Sequence, residues 1–326
     1  MTFEINEIFF LGLAYLSVLF AIAYCTDRGW IPSRLVRHPF VYVLSLGVFT
    51  SAWGFFGIVG LAHEYSFGFL SYYFGIAGFF IFGPLFLLPL QKICQDNQLA
   101  SLADVLTFRY RSQLAGVLVT IFLLIGMMPL LALQIQAVTD AAFILTQVDS
   151  AQPLADGPHF GLAIVFCLVL SLFTITYGAG HISYRKRHNG LVAAIAFETL
   201  VKGIAFAVIG LAAVFGIFGG IEELSAWLEI QQVRLNQVNN FRPENTGRTL
   251  LLIAFAAAVA APHMFHMVFS EKPTRKALRI AVWAVPLLLL LLSLPVLPIL
   301  WGGMASESTL SPEYYTLGIG LARIIT

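Results

Sequence analysis

The chain has 326 residues, 59% of them hydrophobic and only 11% charged, against roughly a quarter charged in a typical soluble domain. That balance excludes a water-soluble globular protein, and a net charge of +1 excludes the broad basic field that nucleic acid demands. Cys25, Cys94 and Cys167 lie far apart, so neither a disulfide framework nor a CxxC metal site follows from them.

Residues 1–7 carry Glu4 and Glu7 and no basic stretch ahead of the first apolar run. That run is therefore expected to be a retained helix rather than a cleaved signal peptide. A hydrocarbon core of ~30 Å takes about 20 apolar residues in a helix. Such spans are expected near 5–25, 41–62, 68–91, 113–145, 160–178, 190–217, 249–270 and 278–302. The fold class is all-α: a polytopic membrane protein with about eight transmembrane helices.

Basic residues accumulate on the cytoplasmic side of a membrane protein. Four alternate connections hold Arg28, Arg34 and Arg37; Lys92, Arg109 and Arg111; Arg185, Lys186 and Arg187; and Lys272, Arg275, Lys276 and Arg279. The opposite side holds only Arg234, Arg242, Arg248 and Arg323, together with Glu4, Glu7, Glu64, Asp149, Asp156, Glu222, Glu223 and Glu229. This asymmetry predicts an N-terminus outside the cell membrane. The longest connection, 219–248, is read as a solvated external helix and loop over Glu222 to Val238, or as a gate above an external vestibule.

The second span contains Gly47-Val48-Phe49-Thr50-Ser51-Ala52-Trp53-Gly54-Phe55-Phe56-Gly57. Small and hydroxyl residues there allow either close helix packing or a local unwinding whose freed carbonyls coordinate an ion. Farther along, Ser101-Leu102-Ala103-Asp104 predicts a capping box at the start of a short helix along the cytoplasmic interface. In the fourth span Gln134, Gln136 and Asp140 are expected to follow one inner face, for interhelical hydrogen bonds or for substrate contact.

Within the sixth span, Glu198 and Lys202 are spaced i,i+4 with the acid first, the favourable order for a helical ion pair. At 1.5 Å per residue they lie ~12 and ~18 Å beyond Gly190, deep in hydrocarbon, and so must face protein or each other. A structural pair and a role in coupling or gating are both open. The seventh span is a small-residue run from Ala254 ended by Pro262, where a kink or break is expected. His263 and His266 could share a face, as intrabundle histidines or, less readily, as metal ligands. Two interrupted spans in separate halves of a chain point to a midplane binding site. No GxSxG, HExxH or Walker A motif is present, which leaves binding rather than bond chemistry.

Together these residues resemble the sodium:solute symporter family, which includes the proline and sugar symporters. The most specific likeness is Ser101-Leu102-Ala103-Asp104-Val105-Leu106-Thr107-Phe108-Arg109-Tyr110, followed by Pro262-His263; weaker ones are Gly47 to Gly57, Ala132-Leu133-Gln134 and Gly190-Leu191-Val192-Ala193-Ala194. The resemblance implies a LeuT-like fold of two inverted repeats. An outer helix at 5–25 would be followed by a first repeat over 41–217, an external loop at 219–248 and the start of an incomplete second repeat over 249–326, with further spans expected beyond Thr326. It implies a substrate site of Ser51, Ala52, Trp53, Gly54 and Gln134 joined by His263 and His266. Half a sodium site would come from carbonyls near Gly47 and Thr50, and coupling or gating from Glu198, Lys202 and Pro262. Phe49 stands where proline symporters place an acidic residue.

Tyr184-Arg185-Lys186-Arg187-His188, the stretch from Gly190 to Glu198, and Phe265-His266 are similar to the symporter-like domain of CbrA-like sensor histidine kinases. That branch implies an inner (plasma) membrane location and an amino acid or other small solute as ligand, with fused or partnering cytoplasmic kinase domains. A plain symporter is the alternative it leaves.

Overall fold

The computed structural model describes residues 3–146, 160–173, 189–240, 245–271 and 274–322, which are all-helical, without a strand among them. Four of their helical stretches are long and apolar enough to cross a membrane: Asn6–Asp27, Gln113–Thr146, Asn189–Ile217 and Arg275–Ala305. Counting each of two bent pairs as one span raises the number to six. These pairs are Pro39–Phe49 with Trp53–Ile81, bent by 81°, and Thr246–Ala260 with Pro262–Ser270, bent by 51°.

Helix α1 (Ile5–Asp27) and α2 (Ser33–Val36) precede α3 (Pro39–Ser45), which tightens into a 3₁₀ turn over Leu46–Phe49. After the interruption a π-turn over Trp53–Gly57 leads into α4 (Ile58–Tyr65), and a 3₁₀ turn over Ser66–Phe69 into α5 (Leu70–Ile81). Ser66, at φ 46°, interrupts the helix between them. The helix expected over 68–91 is divided, because Pro84 lacks an amide donor and sits in the turn before α6 (Leu87–Asp96).

Helix α7 (Leu102–Tyr110) begins with the expected reciprocal cap: Ser101 Oγ accepts from Asp104 N at 3.0 Å, and Asp104 Oδ2 accepts from Ser101 N at 2.9 Å. It packs on α8 (Gln113–Thr146). Then come α9 (Phe160–Phe173), α10 (Asn189–Leu211) with a π-turn over Ala212–Ile217, and α11 (Ile221–Asn240) in the long connection. Residues 174–178 of the fifth expected span, and the Tyr184–His188 motif, lie outside the described residues, as do Asp149, Asp156, Lys272 and Arg323.

The last helices are α12 (Asn245–Ala260), α13 (Pro262–Phe265) with a π-turn over His266–Ser270, α14 (Arg275–Ser293), α15 (Val296–Ala305) and, after a 3₁₀ turn over Pro312–Tyr314, α16 (Tyr315–Gly320). The core joins the Leu46–Phe49 turn, α4 and α5 to α13, α14 and α15 through Leu46, Ile58, Phe80, Phe265, Leu278 and Val296, all essentially inaccessible. The small-residue run of α12 lets that helix lie against α5: at Gly75 any side chain would strike the Leu251 carbonyl and Ala254. By contrast α1 and the first half of α8 expose Phe9, Phe10, Leu11, Phe122, Ile125 and Met128. Apolar surface turned outward along whole helices suits lipid as the surrounding medium. Helix α1 is tied to α10 where Asp27 Oδ1 accepts from Gly190 N at 2.9 Å, capping the start of α10 from outside.

Candidate functional site

The chain leaves helical geometry at Thr50, φ −79° and ψ 66°, and resumes at Ala52. Within hydrocarbon each backbone group released there requires a protein partner, and most of those partners are found on other helices. Lys202 Nζ of α10 donates to the Thr50 carbonyl at 2.6 Å. Gln134 of α8 works in both directions: its Oε1 accepts from Ala52 N at 2.7 Å, and its Nε2 donates to Ser51 Oγ at 3.2 Å. The Tyr72 hydroxyl of α5 makes a long 3.5 Å hydrogen bond to the Phe49 carbonyl. Local bonds complete the set, from Thr50 N to Gly47 O at 2.8 Å and from Phe55 N to Ser51 O at 3.1 Å.

Helix α10 reaches this interruption because Gly47 has no side chain. A Cβ there would run into the Thr199 side chain, which is itself buried. Lys202, one turn on from Glu198, forms the expected ion pair, Nζ to Oε1 at 2.9 Å. The same ammonium thus holds a carboxylate of its own helix and a carbonyl of another. The Thr50 side chain is 7% exposed, and its hydroxyl is buried without a hydrogen-bond partner. Trp53 sits one turn beyond, its indole edge-on to Tyr72 at 5.0 Å, with Gly57 lying against the ring.

The second interruption lies beside the first. Helix α13, which begins at Pro262, packs against the Leu46–Phe49 turn. Among the sequence-derived residues, the structure therefore brings Gly47, Thr50, Ser51, Ala52, Gln134, Glu198 and Lys202 together, with Trp53 and Gly54 on the adjoining turn and Pro262 and His263 across the contact. His266 is drawn elsewhere: its Nε2 pairs at 2.9 Å with Glu271, a buried acid. Gln136 is exposed rather than on the inner face. Positions i and i+2 on a helix are ~200° apart, so Gln134 and Gln136 cannot share a face. Asp140 does face inward, but toward the far end of the chain, accepting from Tyr314 OH at 2.7 Å.

Three contributors were not singled out from the sequence. Tyr72 is legible only as a polar tip in an apolar run, Thr199 carries no signal beyond adjoining Glu198, and Tyr314 lies in a turn with no periodic pattern. Compared with protein-family models, with curated proteins and with solved structures, the chain matches none.

Proposed function

We propose that this chain is the membrane domain of a secondary transporter, or of a sensor built on one, which binds a small solute where the two interrupted spans meet. The observation that carries the reading is that contact: helices interrupted at Thr50–Ser51 and at Ala261–Pro262, far apart in sequence, lie side by side at their breaks. Broken spans juxtaposed in this way, with polar groups gathered around them, are the usual construction of a transporter's central site. In this reading the chain crosses the inner membrane about eight times with its N-terminus outside, in a LeuT-like inverted-repeat arrangement. Ser51 Oγ, the Thr50 hydroxyl, Gln134 and Trp53 offer hydrogen bonds and an aromatic wall to a compact polar ligand such as an amino acid.

The sensor form, coupled to cytoplasmic kinase domains, is supported by the sequence likeness around Gly190 to Glu198; a plain symporter is the other form of the same site. Uptake and equilibrium binding of labelled amino acids by the full-length protein in proteoliposomes test the proposal. Solute-specific binding that is lost in Gln134→Leu supports it. Complete lack of both gradient-dependent uptake and solute-specific binding would sink it.

A further inference from the structure

The freed Thr50 carbonyl is the kind of group that holds a small cation at an interrupted span, and in this structure it already faces one. Lys202 Nζ stands 2.6 Å from it and 2.9 Å from Glu198 Oε1. We propose that the Lys202 ammonium is the resident cation of this interruption, so that the position is filled from within the chain and sodium is not bound there.

Three features argue for this. The first is proximity: with Lys202 Nζ 2.6 Å from the Thr50 oxygen, an ion sharing that oxygen would stand within a few ångström of the ammonium, and like charges so close repel steeply in a low-dielectric interior. The second is charge balance. Glu198, the acid on α10 that faces the break's ammonium, is already neutralised by Lys202, so an added sodium would bring a second positive charge to a carboxylate already paired, at a cost inside the membrane. The third is fixation. The i,i+4 pair sets the lysine's direction, and the Gly47–Thr199 contact sets the distance of α10 from the break. The ammonium is therefore held in place rather than visiting. Where gradient-driven ion coupling was expected to begin at Gly47 and Thr50, this arrangement provides a tethered charge instead.

The inference adds to the transport reading, yet its test needs no solute, so the two fail separately. The full chain in lipid nanodiscs is melted, followed by tryptophan fluorescence, in sodium chloride and in choline chloride of equal ionic strength, alongside binding of radiolabelled sodium. Wild type is expected to show midpoints within about 1 °C of each other and no saturable sodium binding. Lys202→Ala is expected to melt lower in choline and to gain a sodium-specific rise of roughly 2–4 °C at about ten times the dissociation constant. Lys202→Arg, which keeps the charge, should remain indifferent to sodium. Saturable sodium binding or sodium-specific stabilisation of wild type overturns the proposal, as does a Lys202→Ala protein as stable as wild type in choline. If that variant does not accumulate, the wild-type sodium titration decides alone.

Discussion

The interruption at Thr50–Ala52 contains no proline and is held by side chains from α5, α8 and α10, whereas the one at Ala261–Pro262 is written into the chain beside it. Ala261 is extended at φ −62° and ψ 127°, the region into which a following proline forces its neighbour. Its amide still bonds back to Ala257 O at 3.0 Å, and Phe265 N restarts the ladder on Ala261 O at 2.9 Å. Pro262 occupies the first helical position, where a missing amide costs nothing. One break is thus a tertiary product that depends on Lys202, Gln134 and Tyr72, and the other is local and self-sufficient. A break held from outside can respond when its holders move. A proline break cannot be undone without changing the covalent chain.

The sharpest way to test the contrast is to push α10 away from the first break. Gly47→Ala places a methyl group into Thr199, and overpacking at a buried contact costs about 1–3 kcal/mol. A large loss of thermal stability is expected, partly recovered in the double variant with Thr199→Ala. A Gly47→Ala protein that melts with wild type would remove the close approach from the account. Next in size is Gln134→Leu, which strips partners from Ala52 N and Ser51 Oγ together. Leaving a buried amide unpaired costs about 1–3 kcal/mol, and solute binding should fall with stability. Pro262→Ala should behave in the opposite sense, with stability changed by under about 1 kcal/mol while solute binding is lost, because the second helix can now run on. A stability loss as large as that of Gln134→Leu would show that both breaks depend on tertiary support.

The features legible from sequence were those whose cause is local. Glu198 and Lys202 pair because four residues make about one turn; Ser101 and Asp104 cap because three residues close a box; Pro262 holds Ala261 extended and starts a new helix at its own first position. The glycines from Gly47 to Gly57 left close packing and local unwinding both open, and gave no sign of which bonds would sustain a break. Lys202 is separated from Thr50 by 152 positions and Gln134 from Ala52 by 82, and no periodicity spans such distances. Composition likewise showed His263 and His266 as neighbours on one helix, without Glu271, the acid that turns His266 away from the break. The unbroken third span failed for a simpler reason: an apolar run through Gly83-Pro84 satisfies a hydropathy count although the two weakest helix formers stand together there, and the chain turns over residues 82–86.

The smallest expected effect concerns the far end of the chain, where the Pro312–Tyr314 turn returns to the bundle. Tyr314 OH donates to Asp140, and its ring meets Phe56 at 5.7 Å, so this turn leans on the segment just beyond the first break. Beside it the Glu313 side chain lies over Gly60 of α4. Its carboxyl is held above the usual value of 4.5 by desolvation first, then by the charges of Asp140 and Glu64. A carboxyl with a raised folded value binds more protons folded than unfolded, so stability falls as pH rises through that window. The contribution is fully present below the unfolded value and lost once the folded value is passed. Glu313→Gln should therefore flatten the decline in melting temperature from pH 4.5 toward neutrality, by a small margin because the residue still reaches solvent, which screens its charge. Asp140→Asn should flatten it partially as well, since it removes one of the two repelling charges. An unchanged pH profile in Glu313→Gln would detach this turn from the acids around it, leaving the Tyr314–Asp140 hydrogen bond and the Phe56 contact as its hold on the interrupted span.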